Sequence, residues 1–173
     1  MIRFATLAAA AALAFAGPTA AAPSVPVAQT ATDPGVPVEA VRAWLTEKGG
    51  VVGPINRDNG TIWISVADGP LNWAIVFYSC NAADVCGDIQ YAASFSNDLV
   101  TQAMVNDWNR DQRFLKAFFV PGEAGENHTA VVQYDVLMQS RGVEQLTDPT
   151  ALWLELIGAF GTKVGFFAAE PAA

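Results

Sequence analysis

Length, composition and charge limit the kinds of protein that this chain can be. It has 173 residues, of which 52% are hydrophobic and 15% charged, and a formal net charge of −8. The length predicts one domain with a real core, and the composition excludes disorder over most of the chain. The acidic balance argues against a nucleic-acid partner, and two cysteines with one histidine are too few for a His/Cys metal site. No pattern of a chemical reaction is present, so we expect no enzyme, no cofactor and no metal.

The N-terminus has the three-part layout of a secretory signal peptide. Arg3 supplies a positive charge, an Ala-, Leu- and Phe-rich run covers residues 4–16, and small residues follow. This run is shorter than the roughly 20 residues that a transmembrane helix needs. We therefore predict a signal peptide over 1–21 and a periplasmic or secreted protein that has no membrane span after its removal. An Ala-rich helix of the folded domain and an uncleaved anchor are the less favoured alternatives.

Two further segments are predicted to lie outside the packed domain. Residues 22–35 contain prolines and little aliphatic bulk, so they cannot bury enough apolar surface to offset the entropy lost on ordering. We predict a flexible tether over 22–35, a folded domain over 36–167 and a frayed tail over 168–173.

The first half of the domain is predicted to form a helix followed by strands. Apolar residues at helical spacing precede a Gly49–Gly50 stop; with Lys48 they are Val38, Val41, Trp44 and Leu45. Alternating residues between turn signals then predict strands over 51–56, 61–66, 71–79 and 88–95. Gly53–Pro54 interrupts the first strand, and Asp58–Asn59–Gly60 predicts a turn before the second.

Cys80 and Cys86 lie between two of these strands. An exported chain meets an oxidising compartment, so we expect the pair to form a disulfide that clips the base of a hairpin. Closing so short a loop is expected to stabilise the fold by roughly 2–3 kcal/mol. A redox-active pair is the alternative, but such pairs usually sit as C-x-x-C, and the neighbouring Asp84 and Asp88 disfavour a thiolate.

The second half is predicted to form a helix, two strands and a last helix. Ser96, with Asp98 in the first turn, is expected to cap a helix whose buried stripe is Leu99, Val100, Ala103, Met104 and Trp108. Strands over 113–120 and 129–137 are joined by a loop at 121–126. Asp148–Pro149 predicts the start of a helix with the stripe Trp153, Leu156, Ile157, Phe160, Val164 and Phe167. Gly158 and Gly161 indicate the close approach of a neighbouring backbone or ring, or else a weak helix end.

The element order predicts the α+β fold class. It reads helix, three or four strands, helix, two strands, helix, and the short turns between consecutive strands imply antiparallel pairing. We expect a small sheet of about five or six strands, packed by three helices on one face and partly wet on the other.

The stretch from Cys86 to Val164 resembles the YbjN family of bacterial sensory transduction regulators. The resemblance rests on four features: Phe95 at a strand end, the segment N-D-W-N-R-D-Q-R-F at 106–114, the strand at 131–136, and a closing helix with Trp153 and Phe160. It implies a fold similar to that of type III secretion chaperones and no catalytic residues. The predicted export signal departs from cytosolic members and argues against a cytoplasmic role.

Seven residues are candidates for a binding surface: Trp63, Trp73, Tyr78, Trp108, Asn109, Arg110 and Arg113. Trp108 and Asn109 are either a ligand-facing pair or a core anchor followed by a helix C-cap. The two arginines form either a recognition patch with Asp107 and Asp111 or solvated pairs. Acid/base work by the two aspartates is disfavoured because no third polar group with an obvious purpose accompanies them. A triad built on His128 is disfavoured because no serine or cysteine nucleophile occurs in a recognisable setting.

These observations favour a non-enzymatic binding module. We expect it to be chaperone- or regulator-like, to contact a protein or peptide segment, and to be compatible with a homodimer. A small-molecule or lipid carrier that uses an apolar groove is the alternative, and a hydrolase is the least favoured function.

Overall fold

The computed structural model describes residues 34–167. The predicted signal peptide, most of the predicted tether and the predicted tail lie outside the described residues. Within them, no helix is long and apolar enough to cross a membrane.

Three helices and seven strands make up the described part of the chain. The helices are α1 (Val38–Glu47), α2 (Gln102–Asp111) and α3 (Thr147–Lys163), and a 3₁₀ turn at Val143–Leu146 leads into α3. The strands are β1 (Val36–Pro37), β2 (Val51–Asp58), β3 (Thr61–Asp68), β4 (Leu71–Cys80), β5 (Val85–Asn97), β6 (Lys116–Val120) and β7 (His128–Leu137).

All strands belong to one antiparallel sheet in the order β2-β3-β4-β5-β7-β6, and β1 pairs with the start of β5. The predicted α+β class and element order are confirmed. The sheet has seven strands rather than five or six, because the two-residue β1 has no sequence pattern of its own.

One face of the sheet carries the core and the three helices. The apolar residues that alternate along β3, β4 and β5 lie on this face, and nearly all of them are buried. Trp153 of α3 stacks on Tyr91, and Phe160 packs against Phe95 and Trp108. The helices therefore cover a continuous apolar surface, and the side chains between the buried ones point to the opposite face.

The strand predicted over 51–56 continues to Asp58 in spite of Gly53–Pro54. The pairing with β3 shifts between Val52 and Ile55, so Gly53 and Pro54 form a bulge and do not end the strand. Proline is tolerated here because β2 is an edge strand and needs no outward N–H.

The second helix starts later than predicted, because β5 extends through Ser96 to Asn97. The side chain of Asn97 accepts hydrogen bonds from the N–H groups of Leu99 and Val100, and this turn leads to Thr101. Thr101 is the N-cap, and its hydroxyl accepts from the Met104 N–H at 3.2 Å. The expected stripe is corrected accordingly: Val105 and Trp108 are buried, whereas Ala103 is exposed and Leu99 is 53% exposed.

The last helix begins at Thr147, so Asp148 lies in its first turn and is not the cap. Gly161 has the close ring neighbours that the sequence indicated, because an added Cβ would collide with Phe167 and lie 3.0 Å from Phe95. Gly158 has no neighbour within 4 Å of such a Cβ. Of these two glycines of α3, only Gly161 therefore serves close packing.

Cys80 and Cys86 form the expected disulfide at the base of the β4–β5 hairpin. The loop that they close also holds the N-terminal elements of the domain. Val36 and Pro37 pair with Cys86 and Val85, and the Val38 N–H donates to the Asp84 carbonyl at 3.0 Å. The disulfide loop is thus the anchor for β1 and for the start of α1.

Candidate functional site

The face of the sheet opposite the helices is the broadest candidate surface. No helix among residues 34–167 covers it, and we call it the open face. Its outward side chains come from the six strands β2 to β7, since Asn56 of β2 lies opposite Trp63. Among them, Val76 and Ala92 are half-buried and Tyr78 is exposed. A folded protein normally leaves one sheet face wet, so exposure alone identifies no function. What matters is the chemistry of the side chains there.

A strip of apolar side chains crosses one part of the open face. Trp63 of β3 lies directly opposite Val76 of β4, and partners in an antiparallel pair share a face. Two residues further along β4, Tyr78 is 43% exposed. Leu137 of β7 is exposed as well and lies opposite Asp88 of β5. These residues give the open face an amphipathic end that combines aromatic rings with a carboxylate.

The centre of the open face is a shallow depression, because its side chains are small. Ala74 pairs with Ser65 on one side and with Ala92 on the other. Asn72 and Ser94 complete the lining, and the depression has a volume of about 420 Å³. A neighbouring backbone could approach the sheet closely at this point.

A charged group lies on β7, two residues from Gln133, which is the partner of Ala92 across the strands. Asp135 accepts a hydrogen bond from the Gln90 amide at 2.6 Å and an ion pair from Lys116 at 2.8 Å. Partial burial acts to raise the pKa of the Asp135 carboxyl, but the two hydrogen bonds and the charge of Lys116 outweigh it and hold the pKa below its usual range. Asp135 is therefore ionised at neutral pH and fixed in place.

Both outer strands of the sheet are blocked along part of their edges. On β6, the Asn109 amide donates to the Ala117 carbonyl and accepts from the Ala117 N–H, each at 2.9 Å. The indole N–H of Trp108 donates to the Leu115 carbonyl at 3.0 Å. On β2, the bulge, Pro54 and a hydrogen bond from Arg42 to the Gly53 carbonyl have the same effect. Edge pairing with another chain is thus disfavoured, which leaves the open face as the accessible part of the sheet.

The end of α2 carries a second, charged candidate. Arg110 binds Asp107 at 2.8 Å and Asp111 at 2.9 Å, and hydrogen bonds to both carboxylates raise the pKa of its guanidinium. All three side chains are about half exposed or more. Arg113 instead lies over the ring of Phe114. The geometry agrees with the solvated pairs that the sequence left open, and such pairs contribute little stability.

The seven predicted surface residues are not brought together by the fold. Trp63 and Tyr78 lie on the open face, whereas Trp73 and Trp108 are core residues, each 4% exposed. Asn109 is not the predicted C-cap, because α2 ends at a Gln112 cap and the Asn109 amide bonds to β6. The sequence missed Val76, Ala74 and Ala92, because their role depends on which residues pair across strands.

The remaining candidates for acid/base chemistry have structural partners. The His128 ring accepts from the Gly122 N–H at 3.1 Å, and Asp107 and Asp111 both bind Arg110. Burial is the main cause that raises the pKa of the Tyr91 hydroxyl, which bonds to Thr150 at 2.7 Å. Among the described residues, no group of three or more His, Cys, Asp and Glu side chains could hold a metal ion.

Comparison with known proteins points to one family. A sequence model of the YbjN family, described as "Putative bacterial sensory transduction regulator", matches residues 37–166. Among solved structures, the chain is similar to the crystal structure of YbjN, "a putative transcription regulator from E. coli". The two share 16% identity with a TM-score of 0.50, over 70% of this chain and 86% of that one. This likeness concerns the fold alone. No curated protein sequence matches the chain.

Proposed function

Because the chain belongs to the YbjN family, we propose that it is a non-enzymatic, regulator-like module that binds a protein segment on the open face. We also propose that it acts in the periplasm or after secretion. The family description supports regulation in the coarse sense, and the surface chemistry of the sheet supports a protein as the partner.

The observation that carries this proposal is the composition of the open face. Trp63, Val76 and Tyr78 offer apolar and aromatic contact area beside the small side chains of the central depression. Aromatic residues are enriched where proteins contact one another, because they bury a large area and can donate a hydrogen bond at the rim. Asp88 and Asp135 add fixed polar groups next to that area.

The position of the apolar strip also favours a partner that lies across the sheet. A partner that added a strand would need free N–H and C=O groups on β2 or β6, and parts of both strands are blocked. A helix or a loop that packs face-on would bury Trp63 and fill the depression instead. We expect the partner to bring an apolar face and few acidic groups, because the chain itself carries a net charge of −8.

Export is supported by the N-terminal sequence pattern and by the disulfide. It is tested by fractionation of cells that express the full chain, followed by mass spectrometry of the N-terminus. A processed, periplasmic or secreted chain without free thiols is expected. A cytosolic, unprocessed chain with two titratable thiols would contradict this part of the proposal.

Binding is tested with two matched alanine-to-glutamate variants. Ala92→Glu places a charge in the central depression, whereas Ala159→Glu places the same charge on the exposed side of α3. Proteins retained by the immobilised wild type are identified, and the affinity of each purified partner is measured for all three proteins. A partner that loses about tenfold or more in affinity with Ala92→Glu alone would support the open face. Equal affinities for the two variants, or no retained partner, would refute it.

A further inference from the structure

The two aromatic rings of the apolar strip each have a carboxylate as a cross-strand neighbour. Tyr78 of β4 lies directly opposite Asp88 of β5. Asp58 ends β2 two residues after Asn56, which is the partner of Trp63. Asp58 is therefore a diagonal neighbour of Trp63, and such Cα atoms lie roughly 7–8 Å apart. Both carboxylates are thus on the open face beside an aromatic side chain.

No cation of the described chain neutralises these two carboxylates. Asp88 accepts a hydrogen bond from the Ser79 hydroxyl at 3.0 Å, but neither Asp58 nor Asp88 is in an ion pair. The basic side chain that strand register places on this face, Lys116, is bound to Asp135 at 2.8 Å. The aromatic end of the open face therefore carries two negative charges for which the described residues supply no counterion.

Aromatic rings beside carboxylates are suited to the side chain of arginine or lysine. A cation is attracted to the faces of tryptophan and tyrosine rings and forms charge-assisted hydrogen bonds with carboxylates. The methylene groups of these side chains pack on apolar surface. Val76 supplies such surface, because it lies opposite Trp63 and two residues from Tyr78. A bare metal ion fits less well, since no three acidic, His or Cys side chains of the described chain are grouped to hold one.

A second group of apolar side chains lies on the far side of the central depression. Phe118 of β6 lies opposite Val131 of β7, and Val131 lies opposite Ser94, which lines the depression. Phe118 is 48% exposed. Four strand spacings separate β3 from β6, which amounts to about 19 Å. An occupant that reaches from the acidic end to Phe118 is therefore a segment of a macromolecule and not a small molecule.

The small side chains between the two groups favour a helix over an extended segment. An extended chain that lay face-on would bury backbone N–H and C=O groups against Ala74 and Ala92, whose side chains cannot pair with them. A helix satisfies these groups internally, and about 13 residues of helix cover the distance between the two apolar groups. An apolar stripe along such a helix would fill the depression and contact Phe118.

We propose that the partner segment is a basic amphipathic α-helix. Its apolar stripe covers the central depression as far as Phe118. An arginine or lysine at one of its ends lies between the two rings of the apolar strip, where Asp58 and Asp88 bind it. This inference rests on the proposed function of the open face, and it adds the secondary structure and the charge of the partner.

The test uses three synthetic peptides of about 18 residues, each with a leucine and alanine stripe on an otherwise glutamine-rich helix. They carry arginine, glutamine or glutamate at two positions near the C-terminus, and a hydrocarbon staple keeps their helicity equal, as checked by circular dichroism. Dissociation constants are measured with the full folded chain by fluorescence anisotropy. The arginine peptide should bind about threefold to tenfold more tightly than the glutamine peptide, and the glutamate peptide should bind most weakly. The differences should shrink at high salt.

Matched variants assign the preference to the two carboxylates. Asp58→Asn/Asp88→Asn should reduce the affinity ratio of the arginine and glutamine peptides to about one and leave the affinity for the glutamine peptide unchanged. Asp98→Asn/Glu155→Gln is the control, because it removes the same net charge from exposed positions outside the sheet. This control should keep the affinity ratio of the wild type.

The outcomes separate this inference from the proposed function. The inference is wrong if no peptide binds at millimolar concentration, if the arginine and glutamine peptides bind equally well, or if both double variants change their affinity ratio equally. A glutamine peptide that binds as tightly as the arginine peptide and is lost with Ala92→Glu would support the open face but refute the basic helix. A dimer in analytical ultracentrifugation that excludes all three peptides would also overturn the inference, because a second copy would then occupy the face.

Discussion

At the scale of single residues, Asn109 performs a task that is normally done by a neighbouring strand. Its side-chain amide presents one donor and one acceptor, as a peptide group does, and it uses both on Ala117. Trp108, the preceding residue, donates its indole N–H to the carbonyl of Leu115, which directly precedes the same edge strand. The Trp-Asn pair that attracts attention in the sequence is therefore a structural clamp between α2 and β6.

This clamp predicts a specific loss of stability. Asn109→Ala leaves both backbone groups of Ala117 without a partner and should lower the free energy of unfolding by about 1–2 kcal/mol. Urea denaturation measures the change, and hydrogen exchange at the Ala117 amide should accelerate with it. Asn106→Ala, on the exposed side of the same helix, is the control. Equal effects from the two substitutions would mean that the amide pair contributes nothing particular.

Asp135 predicts a dependence of stability on pH. Lys116 and Gln90 hold its pKa below the usual value of 3.8, so the folded state favours the ionised form. Its contribution is complete above pH 4 and is lost as the pH falls through the lowered pKa. Both partners are about half exposed, so the contribution is about 1 kcal/mol or less.

The measurement is the free energy of unfolding, obtained by urea denaturation at a series of acidic to neutral pH values. Asp135→Asn should be less stable than wild type at neutral pH, and the difference should vanish well below pH 4. Lys116→Gln should remove the same pH-dependent part. A difference that stays constant over the whole range would rule out the ion pair as its origin.

Sequence reasoning at this scale identified residue types better than residue roles. Of the two alternatives for Trp108 the structure shows the core anchor, but the acceptor of its N–H directly precedes β6 and the partner of Asn109 belongs to β6. Trp73 is of a residue type that is common at binding surfaces, but it lies in the core. Which face an aromatic side chain takes depends on strand register, and the pattern of β4 has bulky residues on both faces.

At the scale of elements, the two glycines of α3 form a matched pair. Gly161 lies against the rings of Phe167 and Phe95, whereas Gly158 faces open space. Gly161→Ala should destabilise the domain by about 1–3 kcal/mol because of overpacking. Gly158→Ala should stabilise it by roughly 0.5–1 kcal/mol through helix propensity. Thermal unfolding of the two variants measures both signs, and a shared sign would contradict this description of the helix.

The disulfide loop is the second element with a measurable role. It receives β1, the first N–H of α1 and an ion pair between Asp84 and Arg57 at 2.6 Å. A Cys80→Ser/Cys86→Ser variant should lose roughly 2 kcal/mol of stability, because the unfolded chain without the cross-link has more conformational entropy. The loss should be accompanied by faster hydrogen exchange in residues 36–41.

Arg57→Gln is the control for this experiment, because it removes the ion pair and keeps the covalent link. It should leave the exchange of residues 36–41 close to that of the wild type. The loop is not the anchor of the N-terminal elements if the double serine variant speeds up hydrogen exchange in residues 36–41 no more than it does in β4 and β5.

The sequence predicted most elements because their apolar spacing is regular. The ends of elements were less accurate, since they depend on polar side chains that compete for the same backbone groups. Ser96 is a good cap in isolation, but it pairs with Thr129 in the sheet, and Thr101 caps the helix instead. The two-residue β1 could not be predicted, because it exists only through its pairing with β5.

At the scale of the whole molecule, the sheet divides the described chain into two environments. The helix side holds the core, and the open face holds the apolar strip. Alternation in the sequence predicted that one face would be covered and the other partly wet. It could not predict the depression, because the residues that line it are distant in the chain.

The clamped outer strands bear on how such a domain behaves at high concentration. Exposed strand edges are templates on which further copies can extend a sheet, and this is a common route to fibrils. With Ala117 of β6 already paired, and a bulge and a proline in β2, copies of this chain meet an obstacle at each end of the sheet. The molecule can therefore expose the apolar strip of the open face while its strand edges resist growth into ordered aggregates.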